Sequence, residues 1–280
     1  VTLAFGGKKD DKSASSSNQY ADTVTIGLKL APTNLDIRNT AGSALDQILI
    51  GNVYEGIVAR DSKNQVAPAI ASSWETSRDG LTYTFHLNKN MTFSNGDKLD
   101  AEDVAWSINE LIAKGYHDAD ALAAVSKVEA KDADTAVITL KTSNSNLLWT
   151  LTGRAGLVFD KDAKYDLKTQ AVGSGPYTVA KFVENSSITL KANEKYWGKN
   201  KAKTPTVVVK YLADDNAAVN ALKSGGVQVL APITENLAEP FKSDSAKYTV
   251  KAGNGTDKFV LGFNNASGSK LADKRIRQAI

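Results

Sequence analysis

One segment near the end of the chain alternates strand, helix and strand, and it restricts the fold more than any other. The β-branched run from Thr206 to Tyr211 is typical of a strand. Asp214 can cap a helix that continues to Ser224 and ends at Gly225. Val227 to Leu230 then forms a second apolar strand. A helix between two strands needs a sheet face to cover, so the sequence predicts an α/β fold.

Residues 81–140 predict a strand-rich region around one helix. Asp100 is a good N-cap and Gly115 a good helix end. Two further strands are predicted between Val125 and Leu140. The alternating strand residues are Leu81, Tyr83, Phe85 and Leu87. The predicted buried stripe of the helix consists of Val104, Ile108, Leu111 and Ile112.

A strand, a loop and a short helix are predicted before this region. Thr23 to Leu28 alternates with a β-branched bias, and the loop from Ala31 to Asn34 follows it. Ser43 and Asp46 have the spacing of a capping box, which predicts a helix start at Ser43. The expected buried face of that helix consists of Leu45, Ile48, Leu49 and Val53.

Composition excludes several classes of protein. At 280 residues the chain is long for one core, which favours two lobes. The 34 basic and 31 acidic residues are mixed along the chain, without the basic stripe of a nucleic-acid binder or a polybasic membrane patch. The absence of cysteine excludes disulfides and thiolate chemistry, and two histidines argue against a His-rich metal site. No apolar run approaches the ~20 residues of a membrane span.

The first residues differ from the rest of the chain. An apolar stub, Val1 to Phe5, precedes a polar tract from Gly6 to Asn18. Such a tract cannot bury enough apolar surface to order itself. We expect residues 1–21 to be a flexible tether that follows the cut end of a secretion signal. The alternative is an ordinary unstructured terminus.

An ordered series of motifs resembles one protein family over Asp22 to Ile280. The motifs are Asn52 to Val58, Pro68 to Glu75, Asp79 to Leu87, Phe93 to Val104, Gly173 to Tyr177, Tyr196 to Gly198, Asp214 to Ala218, Gly262 to Asn264 and Arg275 to Ile280. Together they resemble the peptide and nickel branch of the bacterial extracellular solute-binding proteins, family 5, which serve ABC importers.

The resemblance implies a periplasmic-binding-protein-like type II fold with two lobes. Residues 22–50 and 172–264 would form the α/β core of the first lobe, and residues 51–171 a strand-rich insertion. Residues 265–280 would begin a second lobe that is mostly missing from this chain. The helix predicted after Asp273 has no stop signal, so we expect the natural protein to continue.

The resemblance also implies a location and partners. A family member would lie in the periplasm or on the outer face of the cell membrane and deliver a solute to a membrane permease, without a cofactor. A short peptide is the favoured solute, with nickel as an alternative. Gram-positive members are commonly lipoproteins, but this chain has no cysteine to carry a lipid. Peripheral membrane association through the tether is therefore expected from its composition alone.

The resemblance assigns solute contacts to the loop after the first strand. The candidate ligand-binding residues are Leu30, Ala31, Pro32, Thr33 and Asn34, with Tyr54 and Asn264 as weaker candidates. The alternative for Pro32 is that it only shapes the loop.

No catalytic residue is assigned. Gly173-Ser174-Gly175 lacks the spacing of a nucleophile elbow and the Lys-Ser/Thr pair of a phosphate loop, so a tight crossing between subdomains is favoured. His86 is predicted to face away from the core and to bind no metal.

Two other functions stay open: a receptor of the same fold that senses peptides without transport, and a hydrolase, which would need a nucleophile and base not found here.

Overall fold

The computed structural model describes the backbone of residues 2–6, 20–253 and 260–280, with side chains in the last two ranges. Its β-strands in these ranges are β1 Thr2–Gly6, β2 Thr23–Leu28, β3 Val58–Arg60, β4 Val66–Pro68, β5 Ala71–Thr76, β6 Thr82–Leu87, β7 Val125–Asp132, β8 Thr135–Leu140, β9 Tyr177–Val183, β10 Ser187–Ala192, β11 Thr206–Tyr211, β12 Val229–Ala231 and β13 Tyr248–Ala252. Its α-helices there are α1 Asp46–Leu49, α2 Ala101–Lys114, α3 Leu147–Thr150, α4 Asp215–Ser224, α5 Glu235–Lys242 and α6 Lys274–Ala279.

A seven-stranded mixed sheet, in the order β13-β1-β12-β2-β11-β10-β9, contains the predicted strand–helix–strand unit. β11 and β12 lie on either side of β2, and both run parallel to it. The helix α4 connects them. The Asp214 side chain accepts a hydrogen bond from the Ala217 amide at 2.7 Å, and Gly225 ends the helix with φ 79°. The α/β prediction is confirmed, although the second strand begins at Val229 instead of Val227.

Five strands of this sheet point the same way. β9 and β11 are both antiparallel to β10, so they share one direction. β13 is antiparallel to β1, which is antiparallel to β12, so β13 runs in the direction of β12, β2 and β11. The last residues of the five strands therefore lie at one edge of the sheet: Leu28, Val183, Tyr211, Ala231 and Ala252. The loops that leave these strands, including the loop from residue 29 to 42, meet at this edge. Crevices at such carboxyl edges are where α/β proteins commonly bind ligands.

The strand-rich region forms its own sheet around the predicted helix. The antiparallel order is β5-β6-β8-β7, and α2 packs against β7 and β8. Asp100 accepts a hydrogen bond from the Glu102 amide at 2.9 Å, while the Asp103 carboxylate accepts one from the Asp100 amide at 3.0 Å. These reciprocal bonds satisfy backbone donors that the first helical turn leaves unpaired. Four residues from segment 51–171 instead pack in the core of the large sheet: Val53, Tyr54, Leu157 and Phe159.

Two local predictions are wrong. Ile112, predicted in the buried stripe of α2, is 37% exposed because it lies at the rim of the stripe that Val104, Ile108 and Leu111 bury. Ser43 does not cap a helix, since α1 begins at Asp46 and has no side-chain cap. The Asp46 carboxylate is bound by an arginine from the strand-rich region, as described below, and so cannot close a capping box.

The segment predicted as a tether is partly a strand. Thr2–Gly6 form β1, which pairs with β12 on one side and β13 on the other. The polar tract at residues 7–19 lies outside the described residues. A tether therefore stays a prediction for that tract alone.

Gly173 and Gly175 allow two backbone segments to pack closely where the chain passes between the two sheets. The Gly175 amide donates to the Val53 carbonyl at 2.9 Å, and the Tyr177 amide donates to the Asn52 carbonyl at 2.9 Å. A Cβ atom on Gly173 would lie 2.0 Å from the Val53 carbonyl oxygen. The backbones thus pack with no space for a side chain.

We expect Gly173→Ala to destabilise the protein by more than about 3 kcal/mol, because the methyl group would overlap a hydrogen-bonded backbone. The free energy of unfolding in urea measures the effect. Gly262→Ala is the matched control, since a Cβ atom there meets no described atom within 4 Å. Equal stability of the two variants would contradict the close crossing.

Candidate functional site

The loop after β2 presents unpaired backbone at the carboxyl edge of the large sheet. Lys29 Nζ forms an ion pair with Asp215 Oδ1 at 2.9 Å, which ties the loop to the start of α4. Leu30 is 50% exposed and Ala31 is half-buried. Within the described part of the chain, the backbone groups of Leu30 and Ala31 form no hydrogen bond. Both residues therefore offer donors and acceptors to a solute.

The next three residues of the predicted set have different environments. Pro32 is buried, which fits a role in shaping the loop, and Thr33 is exposed. Asn34 is half-buried, and its Oδ1 accepts hydrogen bonds from the Asp36 amide at 2.8 Å and from Thr40 Oγ1 at 2.8 Å. The Asn34 carboxamide oxygen is thus occupied inside the loop.

The structure corrects the prediction for Tyr54 and shows no bond between Asn264 and the loop among the described residues. Tyr54 is fully buried, its ring centroid lies 4.8 Å from that of Phe159, and its hydroxyl contacts the Tyr165 hydroxyl at 3.2 Å. Tyr54 is therefore not accessible to a solute. Asn264 is exposed, and its Oδ1 accepts a hydrogen bond from the Ala266 amide at 3.1 Å. No hydrogen bond or ion pair among the described residues joins Asn264 to the loop after β2.

A buried arginine holds that loop in place. Arg154 is 7% exposed, and its Nε donates to Asp46 Oδ1 at 2.6 Å. Its terminal nitrogens donate to three loop carbonyls, those of Ile37, Thr40 and Gly42. A cation removed from water needs such partners. Sequence reasoning missed Arg154, although one charge inside the apolar segment 147–159 was a usable signal.

We expect Arg154→Gln to reduce the free energy of unfolding by about 3 kcal/mol, because it leaves Asp46 unpaired and three carbonyls without their donor. Amide hydrogen exchange should also become faster in residues 35–42. The control is Arg78→Gln, which changes an exposed arginine that has no ion pair among the described residues. Unchanged exchange in the loop would show that Arg154 does not hold it.

A cavity of about 590 Å³ adjoins the loop after β2. It is lined by Asn39 from that loop and by residues 115–121, which follow α2. The His117 amide donates to the Arg38 carbonyl at 2.9 Å, and the Arg38 guanidinium lies 5.0 Å from the Tyr116 ring centroid. These contacts place the end of α2 and the loop on one continuous surface.

A larger groove of about 1000 Å³ shares Asp118 with the smaller cavity. Asp46 and Arg154 line it, so it also borders the base of the loop after β2. It extends to Trp197 and to the hairpin of β3 and β4. Concave surfaces of this size, with a few convergent polar groups, are typical of small-molecule sites.

A buried carboxylate at the groove joins three of the quoted motifs. Glu55 is 9% exposed, and its Oε1 accepts a hydrogen bond from the Tyr196 hydroxyl at 2.6 Å. Its Oε2 accepts from Trp197 Nε1 at 3.1 Å and from Ser174 Oγ at 3.4 Å. Burial raises the pKa of Glu55 to about 7, against the lowering effect of these three donors. The sequence motifs contained all four residues, but their side-chain network was not predicted.

We expect the wild type to become less stable, relative to Glu55→Gln, as pH rises from 4.5 to above 7. The pKa of Glu55 is higher in the folded state than in the unfolded state, so its stabilising contribution is complete below pH 4.5 and is lost as pH rises through about 7. The difference between the two proteins should change by about 3 kcal/mol over that window. Urea unfolding at several pH values measures it.

Glu184→Gln serves as the control, because Glu184 is exposed and forms no hydrogen bond or ion pair among the described residues. A difference between wild type and Glu55→Gln that stays constant with pH would contradict a raised pKa at Glu55.

The described residues do not assemble a metal centre. No group of three or more His, Asp or Glu side chains there is arranged to hold a metal ion. His86 Nε2 lies 3.7 Å from Glu75 Oε1 at the protein surface. The Ser174 hydroxyl is bonded to Glu55. Among the helices in these ranges, none is long and apolar enough to cross a membrane.

Comparison with known proteins identifies the family. Residues 65–280 match the sequence model described as bacterial extracellular solute-binding proteins, family 5 Middle. The chain belongs to this family. Protein XP55 of Streptomyces lividans is 30% identical over 273 residues, 94% of this chain and 48% of the relative. A Brucella ovis protein named as an ABC transporter peptide-binding protein is 30% identical over 242 residues, 81% of this chain and 44% of the relative.

Solved structures confirm the type II periplasmic-binding-protein fold. AgaA from A. tumefaciens R10, in complex with agropinic acid, is 27% identical with a TM-score of 0.72, covering 79% of this chain and 46% of that one. NikA from Staphylococcus aureus, in complex with Ni(L-His)2, is 22% identical with a TM-score of 0.71, covering 80% of this chain and 46% of that one. The family 5 chain described here thus spans about half the length of the relatives it matches.

Proposed function

We propose that this chain supplies the first lobe of an extracytoplasmic solute-binding protein that delivers a short peptide to an ABC permease. Membership of family 5 supports the receptor role, and the name of the Brucella ovis relative supports a peptide. The protein would act in the periplasm or at the outer face of the cell membrane. It would capture its solute without catalysis, by closing two lobes around a hinge.

The observation that carries this proposal is the free backbone of Leu30 and Ala31. These residues lie in the loop that leaves the central strand β2, at the edge where five strands end. A peptide in extended form carries a regular series of amide and carbonyl groups. Proteins that accept varied peptides bind these groups with their own backbone, because every peptide offers them whatever its side chains.

The similar proteins bind chemically different solutes, so the peptide assignment needs a direct test. AgaA was solved with agropinic acid and NikA with a nickel–histidine complex. NikA is only 22% identical to this chain, which limits that comparison to the fold. Exposed main-chain groups in the loop after β2 favour a peptide over a metal complex.

We expect the complete protein to bind tripeptides with little dependence on their side chains and strong dependence on their backbone. Calorimetric titration would compare Ala-Ala-Ala, Ala-Lys-Ala and Ala-Leu-Ala with the backbone N-methylated form of Ala-Ala-Ala. Removing one amide donor should weaken binding by about tenfold, since a hydrogen bond contributes roughly 1 kcal/mol and its loss leaves an unpaired group. Equal affinity for the methylated peptide would contradict main-chain recognition.

Transport and sensing differ in their consequences for the cell. Deletion of the gene should abolish peptide uptake if the protein serves a permease. Intact uptake with altered gene regulation would instead support a sensing receptor of the same fold. Cleavage of any tripeptide by the purified protein would overturn the non-catalytic role.

A further inference from the structure

An arginine at one end of the larger groove is held in place but has no anionic partner. Arg60 ends the strand β3 and lines the groove. Its guanidinium carbon lies 4.4 Å from the Trp149 ring centroid. Within the described residues, its guanidinium forms no hydrogen bond or ion pair. Stacking on an aromatic face fixes the guanidinium plane and leaves its in-plane N–H groups free for a carboxylate.

A second free cation lines the same groove. The Lys199 ammonium group is likewise without a hydrogen bond or ion pair among the described residues. Three carboxylates line this groove. Asp46 pairs with Arg154, and Glu55 accepts three hydrogen bonds. The Asp118 carboxylate forms no hydrogen bond or ion pair among the described residues. Asp46 and Glu55 are thus not available to neutralise Arg60 or Lys199, and the described lining of the groove has two unpaired cations against one unpaired carboxylate.

We propose that the Arg60 end of the groove is a subsite for a carboxylate of the solute. Arg60 would bind the carboxylate through paired N–H donors, and Lys199 would add a second positive charge. The groove shares the lining residue Asp118 with the cavity beside the loop after β2. A solute that extends from this cavity into the groove would bring its carboxylate to Arg60.

This subsite rests on the proposed function in one respect, because it assigns the C-terminal carboxylate of a bound peptide to Arg60. The peptide main chain would meet Leu30 and Ala31, and its C-terminus would lie towards the hairpin of β3 and β4. Peptides with a free carboxylate would then be preferred over peptides with a blocked one.

The first test compares Ala-Ala-Ala with its C-terminal amide on the complete protein. The wild type should bind the free acid about tenfold more tightly, in line with a charge-assisted hydrogen bond. Arg60→Gln should remove that preference and leave affinity for the amide unchanged. Arg78→Gln, a variant of an exposed arginine outside the groove, should keep the preference. Equal acid and amide affinities in the wild type would overturn the subsite.

A second test separates this subsite from peptide binding. The protein is titrated with succinate, and with neutral succinamide as its isostere, while the Nε–H resonance of Arg60 is followed by NMR. A saturable shift with succinate alone supports the carboxylate subsite even if no tripeptide binds, an outcome that would refute only the peptide proposal. A shift no larger than that of the Arg78 resonance overturns the subsite.

Discussion

The buried carboxylate of Glu55 joins three segments that are far apart in sequence. Ser174, Tyr196 and Trp197 all donate hydrogen bonds to it, and Gly173 allows the backbones of two of these segments to meet without a side chain between them. Removing a carboxylate from water is costly, and these three donors only partly offset that cost, as its raised pKa records. The hydrogen bonds of Glu55 therefore join the crossing between the two sheets to the Trp197 wall of the groove.

Arg154 has the complementary role on the other side of the crossing. It extends from the strand-rich region to Asp46 and to three carbonyls of the loop after β2. Hydrophobic contact holds elements together without fixing their orientation, whereas a planar guanidinium with four acceptors fixes distance and angle. Residues 37–42 of the loop that presents Leu30 and Ala31 are consequently held in place before any solute arrives. Binding to an ordered loop avoids the entropic cost of immobilising it.

Local sequence patterns predicted the individual strands and helices. The geometry of the candidate site depends instead on contacts between residues far apart in sequence. The alternation before Leu87 and the Asp100 cap predicted β6 and α2 because strand period and helix capping act over a few residues. Pairing of β1 between β12 and β13 joins residues more than 200 positions apart, and no local pattern encodes it. A single charge in the apolar segment 147–159 indicated that Arg154 is unusual, but its partners at residues 37–46 are more than 100 positions away. Tyr54 was a candidate through the family resemblance, which does not show that its ring packs in the core.

The groove and the loop after β2 would recognise different parts of one solute in the proposed function. Backbone groups at Leu30 and Ala31 would bind the main chain of a peptide, and the stacked guanidinium of Arg60 would bind its carboxylate. Neither contact depends on a solute side chain. A receptor with both contacts could accept many sequences while rejecting chains whose end is blocked, since specificity is the difference between the affinities for the two. Tolerance of different solute side chains and selectivity for a free C-terminal carboxylate would then come from two different parts of the same lobe.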